Sequence, residues 1–231
     1  GQAGYQEVEV NNKGRVLRTL KFQPPVAGQD LYLGIDIKLQ KRAYELMQGR
    51  KGGILMMDPR DGSILAFVSA PSYDPNIFVR GVTSKEYAAL LQDPNRPLIN
   101  RISQGGYAPA STVKPLLAIM GLNEGAITPY YRYFGGPTFQ IPGTARKFRD
   151  WRRGGHGWLD VYRAIEVSAD TFFYDMAYRV GIDKIHEYMT QFGFGQYSGI
   201  DIKEESKGIL PSREWKQKRH RQPWFQGDTI S

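Results

Sequence analysis

Polar and apolar positions alternate through residues 5–10 (Tyr-Gln-Glu-Val-Glu-Val) and again through residues 15–20 (Arg-Val-Leu-Arg-Thr-Leu), on either side of Asn11-Asn12-Lys13-Gly14. Alternation around an Asn/Gly turn predicts a β-hairpin. Pro24-Pro25 and Ala27-Gly28 break the pattern. Residues 1–28 therefore read as the end of one module and residues 29–231 as the main domain. Residues 30–35 predict a short strand. Asp36 then caps a helix running to about Met47 and stopping at Gly49, with Leu39, Ala43, Leu46 and Met47 on its buried face. The apolar runs 51–58 and 63–69 flank Pro59-Arg60-Asp61-Gly62 and predict a second hairpin. Because those runs are apolar on both faces, they read as central strands covered by helices. A helix on such a hairpin is an α+β layer.

Residues 70–110 are loop-rich, with Pro71, Pro75, Pro94, Pro97 and Pro109 and one helical stretch at 84–92. A helix follows from Ser111 to about Leu122, apolar nearly all round and hence expected to be buried. Residues 127–155 look irregular. Leu159 to Val180 predicts a second long helix, interrupted in character by Ser168-Ala169-Asp170, and residues 182–192 a further one. The remainder runs through turns to a basic, tryptophan-containing segment.

The composition narrows the class. A chain of 231 residues with 41% hydrophobic residues can bury a sizeable core. The absence of cysteine excludes disulfides, thiolate metal sites and a cysteine nucleophile, and it suits an oxidising compartment. The net charge of +8 favours an acidic partner. With no nucleic-acid-binding signature, no nucleic-acid partner is expected. The only dense basic run, Lys216 to Arg221, reads as a solvated face or as a contact for a partner protein or anionic lipid. No apolar run of membrane-spanning length occurs, so any anchor is expected outside these residues.

The candidate chemistry lies at Ser111-Thr112-Val113-Lys114-Pro115, where a Gly- and Pro-broken loop enters an apolar helix. Positions three apart share a helix face, so the Lys114 amine can approach the Ser111 hydroxyl and take its proton if burial keeps it neutral. The unpaired N–H groups of a helix start favour an alkoxide there. Pro115 fits the first turn. A Ser-x-x-Lys spacing alone is weak, because serine N-caps are common. Asp150 and His156, with His186 or His220, offer at most an incomplete metal site, and a structural turn at Arg149-Asp150-Trp151 is the better reading. Tyr130 to Tyr133 and the stretch from Trp151 to Trp158 can line a groove or simply pack. No cofactor or metal is expected.

Three segments together resemble the penicillin-binding transpeptidases: Met57-Asp58-Pro59-Arg60-Asp61-Gly62-Ser63-Ile64-Leu65-Ala66, Pro71-Ser72-Tyr73-Asp74-Pro75-Asn76, and Ala110-Ser111-Thr112-Val113-Lys114-Pro115. Arg149-Asp150-Trp151, Gly155-His156-Gly157, Ser168 to Tyr174 and Arg213 to Arg219 extend the similarity over nearly the whole chain. The resemblance implies the α+β penicillin-binding transpeptidase and serine β-lactamase-like fold, an antiparallel sheet flanked by helices. It further implies a monofunctional D,D-transpeptidase that cross-links peptidoglycan stem peptides through an acyl-enzyme on Ser111 during cell elongation, with β-lactams as covalent inhibitors. Lys114 is then the base, and the Ser111 N–H one oxyanion donor.

The family's Ser-x-Asn motif falls on Ser168-Ala169-Asp170, a variant known within the family. Ser168 is expected to pass a proton between Lys114 and the leaving amine, and an ionised Asp170 to oppose a neutral lysine. The third motif, Lys-Thr/Ser-Gly, does not occur in the chain, and in the family it would follow Ser231. A chain with nothing beyond Ser231 is expected to hold an incomplete site with little turnover. The resemblance also implies an N-terminal membrane anchor, the periplasmic face of a bacterial inner membrane, and partners among the SEDS-family glycan polymerases and elongation-complex proteins. The rivals are a β-lactam sensor or hydrolase and a non-catalytic cell-wall scaffold or binding module.

Overall fold

The computed structural model describes residues 1–230; Ser231, the last residue of the expected main domain, lies outside the described residues. The chain divides into two compact units, Gly1–Asn95 and the residues from Arg96 onward.

The first unit opens with the expected hairpin, β1 (Tyr5–Val10) and β2 (Val16–Gln23), paired antiparallel from Tyr5↔Gln23 to Val10↔Val16. Its turn is built by Asn11, whose side-chain oxygen accepts from the N–H groups of Lys13 and Arg15, and by Gly14 at φ 72°. Helix α1 (Ile37–Leu46) starts where Asp36 accepts from the N–H groups of Lys38 and Leu39. It packs on a second antiparallel hairpin, β3 (Gly52–Met57) and β4 (Ile64–Ala70), through Ala43 against Ala66 and Val68, with Leu39, Met47 and Ile54 around them. α2 (Asn76–Val79) and α3 (Ser84–Gln92) follow. A capping box starts α3: Thr83 accepts from the Glu86 N–H while the Glu86 carboxylate accepts from the Thr83 N–H.

Three expectations fail in this unit. Residues 30–35 form no strand, and Leu31, Tyr32 and Leu33 are exposed. The free edge of β4 is already engaged at Phe67, whose N–H and C=O pair with the side-chain amide of Gln40 at 2.7 and 2.9 Å. The Asp36 N–H also reaches that edge, at the Leu65 carbonyl. The strands are not covered on both faces either: α1 shields one face, and Leu55, Met56 and Met57 stand open. Leu46, expected in the core, is exposed, because a two-stranded layer is too narrow to cover the whole apolar face of α1.

In the second unit a 3-10 turn (Ala110–Val113) runs into α4 (Lys114–Asn123). Four short strands follow, β5 (Tyr133–Gly135), β6 (Thr138–Gln140), β7 (Lys147–Arg149) and β8 (Gly157–Leu159), pairing antiparallel as β5 with β8 and β6 with β7. Then come α5 (Val161–Glu166), α6 (Asp170–Val180), α7 (Ile182–Gln191) and α8 (Arg213–His220). The core joins Met120 of α4, Ile127, Leu159, Val161 and Ala164 to Phe172, Phe173 and Met176 of α6. Phe172 is met edge-on by Tyr131 and Tyr133. Those two tyrosines are packing residues, whereas Tyr130 is exposed.

Segments read as irregular thus hold short strands, whose three residues are too few for alternation to register. The long helix expected over 159–180 is in fact the end of β8 and two helices. α4 is not enclosed all round: Lys114, Ala118, Met120 and Gly121 are buried, and Ile119 is open. Lys216 is no member of a solvated basic face. It is buried on α8, paired with Asp228 and stacked over the Phe225 ring.

Candidate active site

The turn Ala110–Val113 sets the geometry at Ser111. Ala110 adopts φ 50°, a left-handed conformation that costs an L-residue about 1–2 kcal/mol. From there the chain turns tightly enough for the Lys114 N–H to donate to the Ser111 carbonyl. Thr112 fastens the turn by donating its hydroxyl to the Pro109 carbonyl. The result is an exposed Ser111 one turn before a buried Lys114. No protein group hydrogen-bonds the Ser111 hydroxyl among the described residues, so it stands free toward solvent.

Lys114 Nζ donates to the Ser168 carbonyl at 2.8 Å, to Ser168 Oγ at 3.1 Å and to Asp170 Oδ1 at 2.6 Å. Three acceptors match the three protons of an ammonium group. The Phe173 ring centroid lies 5.5 Å from Nζ, within cation–π range. The lysine and aspartate side chains are 10% and 23% exposed, so water cannot readily replace either partner. Removing one member of such a pair leaves a buried charge unmatched, at a typical cost of about 3–5 kcal/mol. The structure thus brings together Lys114, Ser168 and Asp170, residues 54 to 56 positions apart. It places Ser111 three residues before Lys114, with its hydroxyl bonded to none of the three among the described residues.

Ser168 reaches Lys114 because of how α5 ends. The Ser168 N–H donates to the Ile165 carbonyl and the Ala169 N–H to the Ala164 carbonyl, while Ser168 sits at φ 54°. This is the Schellman closure, with serine at the left-handed position that glycine usually fills. Closure there turns the chain and starts α6 two residues later, and both oxygens of Ser168 meet Lys114. Asp170 is the first residue of α6, where its carboxylate complements the helix dipole.

A second turn braces this one. The Trp151 N–H donates to Asp170 Oδ2 at 3.1 Å, and its indole N–H donates to the Val167 carbonyl at the end of α5. The buried Asp150 accepts from the Thr171 N–H at 3.0 Å and the Arg152 N–H at 3.0 Å, and pairs with His156 Nε2 at 2.9 Å. Burial pushes the Asp150 carboxyl up, but the Arg152 and Thr171 N–H groups and the His156 ring outweigh it and hold it below the usual carboxylate range. Asp150 therefore spends its oxygens on His156 Nε2, on backbone N–H groups and on the Thr171 hydroxyl. His186 is engaged elsewhere, with the Pro211 carbonyl, and His220 packs against Trp215. Among the described residues no group of three metal-ligating side chains forms. The turn Arg149-Asp150-Trp151 reads as structural in sequence, but its grip on Asp170 was not legible there, because it runs through the Trp151 backbone N–H, which every non-proline residue carries.

The family model of the penicillin binding protein transpeptidase domain matches residues 52–231. The peptidoglycan D,D-transpeptidase MrdA of Escherichia coli K12 is 55% identical over 230 residues, which cover 100% of this chain and 36% of that relative. The chain therefore spans little more than a third of that curated relative's length. The crystal structure of Pseudomonas aeruginosa PBP2 in complex with WCK 5153 matches with a TM-score of 0.84 at 47% identity, over 89% of this chain and 47% of that one. The Helicobacter pylori complex between penicillin-binding protein PBP2 and MreC matches with a TM-score of 0.85 at 35% identity, over 100% of this chain and 43% of that one.

Two outcomes follow from this geometry. Ser168→Gly will be about 1 kcal/mol more stable than Ser168→Ala in urea titrations, reversing the ordinary preference, because only glycine occupies φ 54° freely. Equal stability would contradict the left-handed closure. Because the Asp150 carboxyl is held down in the folded state, the unfolded chain takes up its proton first as pH falls. The stability that Asp150 contributes is thus present above its unfolded pKa of about 3.9 and lost as pH drops through the lower folded value. Asp150→Asn should flatten that part of the acid-denaturation curve, and an unchanged slope would contradict it.

Proposed function

This chain belongs to the penicillin-binding protein transpeptidase domains, and from that premise we propose that it forms part of a peptidoglycan D,D-transpeptidase with Ser111 as nucleophile. The observation that carries the reading is the three-way anchoring of Lys114 by Ser168 and Asp170 one turn from a free Ser111 hydroxyl. Ser111 Oγ forms a bond to the carbonyl carbon of the penultimate D-alanine of a stem peptide. The bond from that carbon to the nitrogen of the terminal D-alanine breaks. A Lys114 proton crosses Ser168 Oγ to the departing nitrogen, and the Ser111 proton takes its place on the Lys114 amine so freed, leaving the charge on Lys114 unchanged over the step. The Ser111 N–H contributes to oxyanion binding. The amine of a second stem peptide then takes the acyl group and frees Ser111. β-Lactams enter by the same attack and remain on the serine.

Asp170 Oδ1, 2.6 Å from Nζ, and Ser168 Oγ, 3.1 Å from it, hold the lysine on this relay path. We assign residues 1–28 to the end of a preceding non-catalytic module and residues 29–231 to the transpeptidase domain, which the self-contained β1–β2 hairpin supports. By analogy with relatives, the whole protein works at the periplasmic face of the inner membrane. Its partners there are a SEDS-family polymerase and elongation-complex proteins, a reading supported by the match to a PBP2 bound to MreC. The enriched positive charge suits a substrate rich in carboxylates.

The test is product analysis with the full natural chain containing these residues. Given a D-alanyl-D-alanine pentapeptide and an amine acceptor, it should release D-alanine and form the joined peptide. Lys114→Ala should lower the rate by about a thousandfold or more. Free acid as the sole product would make it a hydrolase, and no D-alanine release a scaffold.

A further inference from the structure

We propose that His156 and Asp150 are positioning residues for acylation, acting through Asp170. This rests on the transpeptidase reading and extends it to a pair that touches no substrate. The pair is almost wholly enclosed, with side chains 2% and 0% exposed. Its connections run within the turn, to the Arg152 N–H, and onward to α6. His156 Nε2 fixes Asp150 Oδ1, and Asp150 Oδ2 holds the Thr171 N–H and hydroxyl at the start of α6. The next peptide N–H along the turn, that of Trp151, holds Asp170 Oδ2, leaving Oδ1 for Lys114. The first two residues of α6 are thus gripped by two consecutive residues of one turn, and His156 sets the orientation of that turn.

The histidine is kept at a cost. With Nε2 spent on Asp150, Nδ1 is the ring's remaining polar atom, yet it is buried with no partner among the described residues. An unpaired buried polar group weakens a fold. Stability alone would favour a side chain without that nitrogen. A carboxylate held from two sides, by contrast, keeps its second oxygen on one bearing, and small misplacements of reacting groups cost large factors in rate. The direction of Asp170 Oδ1 sets where the Lys114 ammonium sits, and hence its distance from both serines.

The experiment measures the rate constant for acylation by a fluorescent penicillin, separated from initial binding, in the full natural chain. Wild type, His156→Phe, His156→Gln, Asp170→Asn and the double variant His156→Phe/Asp170→Asn are compared, with melting temperatures recorded alongside. His156→Phe should slow acylation by about tenfold to a hundredfold, with initial binding unchanged. His156→Gln keeps a donor at the Nε2 position and should recover most of the rate. In the Asp170→Asn background, His156→Phe should have little further effect, since the path it acts through is already altered. Wild-type-like acylation in His156→Phe overturns the proposal, as does a loss that multiplies in full with that of Asp170→Asn or a His156→Gln variant as slow as His156→Phe. Should the wild type itself fail to acylate, the transpeptidase reading falls first.

Discussion

One buried lysine sets the terms for the second unit. Lys114 is pulled out of water by its place at the start of α4, and a buried ammonium is tolerable only if every proton has an acceptor. Meeting that demand takes two oxygens from Ser168 and one from Asp170, which fixes where α5 must end and α6 must begin. The left-handed serine at φ 54°, an expense in any other setting, is the conformation that delivers both of its oxygens at once. The packing then serves the same end. Phe172, Phe173 and Met176 lock α6 against α4, so the acceptors cannot drift from the lysine.

Rigidity on one side contrasts with openness on the other. Ser111 sits at the mouth of a tight turn with its hydroxyl exposed, while Lys114 one turn later is enclosed. An exposed hydroxyl is reached from solvent without first breaking a protein hydrogen bond. An enclosed amine on three acceptors keeps its geometry. The division follows from sequence order alone, because a 3-10 turn leading into a helix exposes its first residues and buries those that face the core.

Much of this was legible in the residues. Asp36, Asn11 and Gly14 act locally, and local chemistry is written in neighbouring letters. Ser111 and Lys114 were legible for the same reason, being three residues apart. Ser168 and Asp170 were reachable only through family resemblance, since no periodicity links positions more than fifty residues away. The failures share a cause as well. Leu46 looked buried and residues 30–35 looked like a strand because apolar residues announce a wish for cover or pairing, not the presence of it. Lys216 looked exposed because a basic run hides the one member that turns inward to Asp228 and the aromatic pair Trp224 and Phe225.

The claim on which the account stands is that Ser111 is the acylated residue. Intact-protein mass spectrometry after exposure to a penicillin, followed by peptide mapping, addresses it directly. The account predicts one adduct of the mass of the intact drug, on the peptide carrying Ser111. An adduct on any other residue, or none in a folded full natural chain, would contradict it.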